Sequence, residues 1–172
     1  MQAIVRPPAE LTFEKNEVGF KRGVIGWTIV ILNTLAALNS TFVFLVILKA
    51  GIDGWVMMNI CAPSIALFVI GFLMRNRVLM VAGGAMMFRY GTLGLYLFGW
   101  DGYNIPAQIG HILMTLAVIY VGLDIVRYRQ WRALGLGLAL GIALLIALGI
   151  AQGMWFDAHP GLLDKLFSGN YE

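Results

Sequence analysis

Few side chains in this sequence could do chemistry, and they recur at helical spacings inside long apolar runs. Arg89 lies in the middle of VAGGAMMFRYGTLGL, Val81 to Leu95. A guanidinium in such a run is either an anion-binding group or a charge that needs a partner. Thr92 and Tyr96 follow it at i+3 and i+7, and Gln108, His111 and Thr115 repeat that spacing. Asn33 and Ser40 stand at i and i+7. Positions so spaced share one face of an α-helix. Asn59 lies four residues before Pro63, so the proline releases the Asn59 carbonyl from its helical bond.

Depth links these groups. Counted from the inner end of each apolar run at about 1.5 Å per residue, Arg89, Asn33, Ser64 and Thr115 reach one level. The sequence therefore predicts a midplane polar cluster of Arg89, Asn33, Ser64 and Thr115. A secondary polar stripe is expected from His111, Gln108, Asn59 and Ser40. A charge at the bilayer centre costs about 2.5–3.5 kcal/mol on insertion scales. Hydrogen bonds between helices, at roughly 1 kcal/mol each, would offset much of that. Asp124 is the only carboxylate inside an apolar run. It lies roughly 14 Å shallower than Arg89 and is expected to pair locally with Arg127. Arg89 is thus left to a bound anion, an acid from another chain, or carbonyls and water.

The inventory excludes much. There is no serine–histidine pair, paired aspartate or HExxH run, so an intramembrane enzyme is not expected. Asp157 and His159 are two ligands and do not make a metal site. His111 is the only histidine within an apolar run, which rules out bis-histidine haem within one chain. No cofactor is expected, although a single-ligand haem or chlorin at His111 stays open. Met57, Met58 and Cys61 read as packing beside a proline kink. With one cysteine in the chain there is no internal disulfide.

The elements that must position these residues follow from composition. The chain has 172 residues, 60% of them hydrophobic and 12% charged, where a soluble domain keeps about a quarter charged. Five runs are long enough to cross a bilayer: 23–48, 55–74, 78–100, 105–126 and 133–152. They are continuous rather than alternating, so they are helices and not barrel strands. The expected fold is an all-α integral membrane protein, a bundle of five antiparallel transmembrane helices. Residues 1–22 form a cytoplasmic or interfacial segment, 23–152 the membrane domain, and 153–172 an outer interfacial tail. No cleavable signal peptide is expected, since the first apolar run follows some twenty polar residues.

Basic residues set the orientation. Arg6, Lys15, Lys21, Arg22, Arg75, Arg77, Arg127, Arg129 and Arg132 fall on one side, and Lys49 and Lys165 on the other. The N-terminus is then cytoplasmic and the C-terminus outside. Trp27 and Trp131 near inner ends, with Trp55, Trp100 and Trp155 near outer ends, suit the headgroup region. The net charge of +3 does not signal nucleic acid, because the basic residues form no single patch. The tails carry apolar residues that suit a surface-lying segment, Leu11, Phe13, Val18 and Phe20 in one and Leu162, Leu163, Leu166 and Phe167 in the other.

The fifth run, RALGLGLALGIALLIALGIAQG, carries two small-residue seams. One is Ala133, Gly137 and Gly141; the other is Ala139, Ala143, Ala147 and Ala151. Small residues four apart let helices approach closely. A helix with two such seams suits a place between two neighbours. Together these features imply a small multi-pass protein of a bacterial or archaeal cytoplasmic membrane. Its partners are the lipid bilayer and other membrane subunits or copies of itself. The expected role is a non-catalytic accessory or assembly subunit. The alternative is an oligomeric transporter or channel component for a small anionic or polar solute, using a midplane site around Arg89.

Overall fold

The structure, a computed structural model, describes residues 22–160 apart from positions 48, 98, 101 and 103. All regular structure among the described residues is helical. Helix α1 spans Val24–Phe42 and continues as a π-helical turn, Val43–Ile47. Then come α2 (Gly51–Met58), α3 (Cys61–Leu73), α4 (Arg77–Met87), a second π-helical turn (Phe88–Thr92), α5 (Gly94–Leu97), α6 (Asn104–Tyr128) and α7 (Trp131–Ala158). Four stretches are long and apolar enough to cross a membrane: 24–47, 77–97, α6 and α7. The bent pair α2–α3 makes a fifth if counted as one span. Their outward faces stay apolar: Leu35, Leu38, Ile142, Ile146 and Ile150 are all exposed, as a hydrocarbon surround demands.

The second run, expected over 55–74 with a proline kink, is a pair of helices. The chain bends by 75° between α2 and α3. The break falls at Asn59 and Ile60, ahead of Pro63 rather than on it. Pro63 sits in the first turn of α3, where its missing N–H has no intrahelical partner to lose. The released Asn59 carbonyl accepts instead from the Ala62 N–H at 3.3 Å.

Helix α4 is the hub, packing on α3, α6 and α7, while α1 rests on α3 and α6. Small residues explain why. A Cβ added at Gly83 would lie 2.6 Å from the Phe68 nitrogen, and one at Gly71 would lie 2.6 Å from the Met80 nitrogen. Neither position tolerates a side chain, so α3 and α4 meet backbone to backbone. Around them Phe68, Phe72, Met80, Met87, Met114 and Ile125 form the buried core.

Two links use the same closing device. Asn76 N–H bonds the Gly71 carbonyl at 2.8 Å, and Gln130 N–H bonds the Ile125 carbonyl at 3.0 Å. Each closes the end of a helix through a left-handed arginine, Arg75 (φ 55°) or Arg129 (φ 52°). The Asn76 side chain then caps α4, accepting from the Leu79 N–H at 3.2 Å. Helix α7 runs beyond the expected 133–152, through Ala158. At 28 residues it is about 42 Å long, more than the roughly 30 Å hydrocarbon core. Asp157 therefore belongs to its last turn. The apolar tail residues, Leu11 to Phe20 and Leu162 to Phe167, lie outside the described residues.

Candidate functional site

The polar residues expected at depth separate into distinct contacts. Asn33 on α1 is fully buried. Its Nδ2 donates to the Leu113 carbonyl at 3.1 Å, tying α1 to α6, and to its own-helix Ile29 carbonyl at 2.9 Å. Its Oδ1 has no partner among the described residues. Ser64, also fully buried, donates its hydroxyl to the Ile60 carbonyl at 2.7 Å, which also accepts from the Ser64 N–H at 3.2 Å. Asn59 is buried at the break. Ser40 is half-buried on α1.

The stripe on α6 does assemble. His111 Nδ1 lies 3.0 Å from Gln108 Oε1, and Gln108 Nε2 donates to the Gly99 carbonyl at 3.3 Å. Thr115 donates to the His111 carbonyl at 2.9 Å, and its hydroxyl lies 3.1 Å from that of Thr92. The imidazole is laid over Gly94, where an added Cβ would lie 2.6 Å from His111 Cε1. The backbone of α5 thus closes one face of the imidazole. No group of three or more His, Cys, Asp or Glu that could hold a metal exists among the described residues.

Arg89 stands apart from all of these. It makes no hydrogen bond to Asn33, Ser64 or Thr115; its side chain is exposed. The π-helical turn is the physical reason. The spacing Arg89–Thr92–Tyr96 marks one face only at α-helical pitch. Residues 88–92 instead close i to i+5, with Leu93 N–H on the Phe88 carbonyl at 3.4 Å. Thr92 consequently turns to Thr115, whereas Arg89 turns into a groove of about 390 Å³ between α4, α6 and α7. Phe88, Val118, Ile125, Leu138 and Ile142 line it together with Arg89. The guanidinium lies 5.5 Å from the centre of the Tyr90 ring.

The ionic contact expected between Asp124 and Arg127 is replaced by one across helices. Arg77 Nε donates to Asp124 Oδ2 at 2.7 Å, with the side chains 1% and 11% exposed. The Tyr128 ring lies 5.0 Å from the guanidinium carbon. The third apolar run, counted from 78, left Arg77 just outside it; its signal was the Asn76 cap, which makes it the first residue of α4. Gln152 was also missed. It donates to the Met57 carbonyl at 2.5 Å, an acceptor that the break at Asn59 leaves without a helical partner. Beside it, the indole of Trp155 donates to Asp53 Oδ2 at 3.3 Å. Trp55 donates to Thr41 at 3.2 Å.

The two seams of α7 have different fates. An added Cβ at Gly137 would lie 2.5 Å from Val81 Cβ, and one at Gly141 would lie 2.9 Å from Ala85 Cβ. With buried Ala133, this seam is spent on α4 within the chain. Ala139 and Ala143 are exposed. Comparison with protein-family models, with curated proteins and with solved structures finds no match.

Proposed function

We propose that this chain is a non-catalytic accessory or assembly subunit of a larger membrane complex. The observation that carries the proposal is Arg89, a permanent charge exposed on an apolar groove with no carboxylate bound to it among the described residues. An intramembrane arginine needs a partner or a route to water. The other polar side chains at depth are largely engaged with one another or with carbonyls. That favours a docking role over a solute path, which needs polar groups free to receive a solute. The exposed seam of Ala139 and Ala143 supplies a second face suited to a neighbouring helix.

In this proposal the chain crosses the membrane five times, α2 and α3 forming one broken span. Successive spans run antiparallel, with the N-terminus cytoplasmic and the C-terminus outside, in keeping with the alternation of basic residues. The closing ends of α3 and α6, with Arg75 and Arg129, then lie on the cytoplasmic side. Purification from native membranes in mild detergent, followed by mass spectrometry, tests the proposal. A different membrane protein should co-purify in fixed stoichiometry. Recovery of this chain alone, or only with copies of itself, would sink it.

A further inference from the structure

We propose that the groove between α4, α6 and α7 seats one transmembrane helix of a different membrane protein, and that this helix carries an Asp or Glu level with Arg89. This rests on the subunit proposal above and names the partner's chemistry and its place of docking. Contacts within the fold set the levels. Thr92 meets Thr115, and Gly141 meets Ala82 and Ala85. Val118 and Leu145 therefore stand near the level of Arg89, while Val81, Ile125 and Leu134 line the other end. From Val81 to Arg89 the groove follows α4 for about 12 Å. Helices α6 and α7 are joined by a short link but touch little along their length, so the groove opens sideways between them.

Its surface suits a close-packed helix. Gly122 is exposed, and a Cβ added there would meet nothing within 4 Å. It leaves space beside bare backbone, which a partner helix can approach closely. The charge then selects the occupant. A second copy of the chain is a poor match, because its acid at depth, Asp124, is already held 2.7 Å from Arg77. A phospholipid is also a poor match. Arg89 lies about 18 Å along the axis from Arg77 and about 12 Å from Leu97. A lipid phosphate sits at the interface, so a tail in the groove would set methylenes against the guanidinium. A carboxylate on a helix that crosses the membrane can sit at the required depth and form a paired, hydrogen-bonded contact with arginine.

The experiment uses the full chain, tagged and purified from native membranes, with a photo-crosslinking residue at Leu138. The variants are Arg89→Gln, Gly122→Leu and Leu116→Ala. Gly122→Leu fills open space and should leave the melting curve of the purified chain unchanged. Leu116 is exposed on α6 and lies in neither the groove nor the alanine seam of α7. The expected result is at least a tenfold loss of co-purifying partner for Arg89→Gln and for Gly122→Leu, with Leu116→Ala unaffected. The crosslinked peptide should be an apolar helix bearing one Asp or Glu, and exchanging that acid with Arg89 should restore recovery. Unchanged partner recovery in both groove variants would overturn the docking site while leaving the subunit proposal standing. Crosslinks only to lipid or to a second copy would do the same. Absence of any partner from the parent protein would overturn both.

Discussion

Replacing Asp124 by asparagine should be among the most damaging polar changes in the chain. Arg77 is 1% exposed and Asp124 11%, with 2.7 Å between Nε and Oδ2. Two unit charges about 4 Å apart attract by roughly 4 kcal/mol at an effective dielectric constant of 20. Removing one partner also leaves the other charge buried, and such changes cost about 3–5 kcal/mol. Asparagine keeps an acceptor oxygen, so the expected loss is near the lower end, about 3 kcal/mol, or two decades in the unfolding equilibrium. The assay is unfolding in mixed micelles by titration with a denaturing detergent, followed by helical circular dichroism. Arg127→Ala serves as the contrast and should cost about 0.5 kcal/mol or less, as for an exposed charge. The double change Arg77→Met with Asp124→Leu should recover most of the loss, because an apolar pair of similar volume needs no counter-charge. A loss below about 1 kcal/mol for Asp124→Asn, or equal losses for Asp124→Asn and Arg127→Ala, would refute the cross-helix pair as the reason.

Three further outcomes follow from the packing. Gly141→Leu should destabilise the fold by about 1–3 kcal/mol through overpacking, because its first carbon already meets Ala85 Cβ at 2.9 Å; a stability equal to that of Gly122→Leu in the same titration would contradict the α4–α7 contact. Gln152→Leu uncovers the Met57 carbonyl and should speed hydrogen exchange at the amides flanking the break, with protection at α6 unchanged; equal exchange at the break would show that the bond contributes nothing there. Asn33→Leu removes both the bond to Leu113 and an unpartnered buried oxygen, so the two effects should nearly cancel, to within about 1 kcal/mol; a loss above about 3 kcal/mol would point to a ligand or water on Oδ1.

The helical segments were legible in the sequence because uninterrupted apolar length is a strong signal. The ends of α6 and α7 were less so, and α7 ran on through Ala158 because Met154, Trp155 and Phe156 continue its pattern past Gln152. Spacing along a helix can be counted, since rise per residue is nearly constant, but which way a side chain faces cannot. The π-helical turn at Phe88–Thr92 shifts the register between Arg89 and Thr92, and no residue type there announces it. The pairing of Asp124 had the same difficulty. Arg127 is its neighbour along one helix, but Arg77 is its neighbour in space, and choosing between them requires knowing how α4 packs on α6. The seams of α7 were visible as two stripes; that Gly137 and Gly141, and not Ala139 and Ala143, would meet α4 depends on the rotation of one helix against another.

A structure of the assembly purified from native membranes tests the central claim most directly, through what lies beside the Arg89 guanidinium. The expected result is a carboxylate of a foreign transmembrane helix within ion-pair distance, with that helix seated between α6 and α7. A groove filled by lipid tails, with Arg89 stretched to a headgroup at either surface, would contradict it.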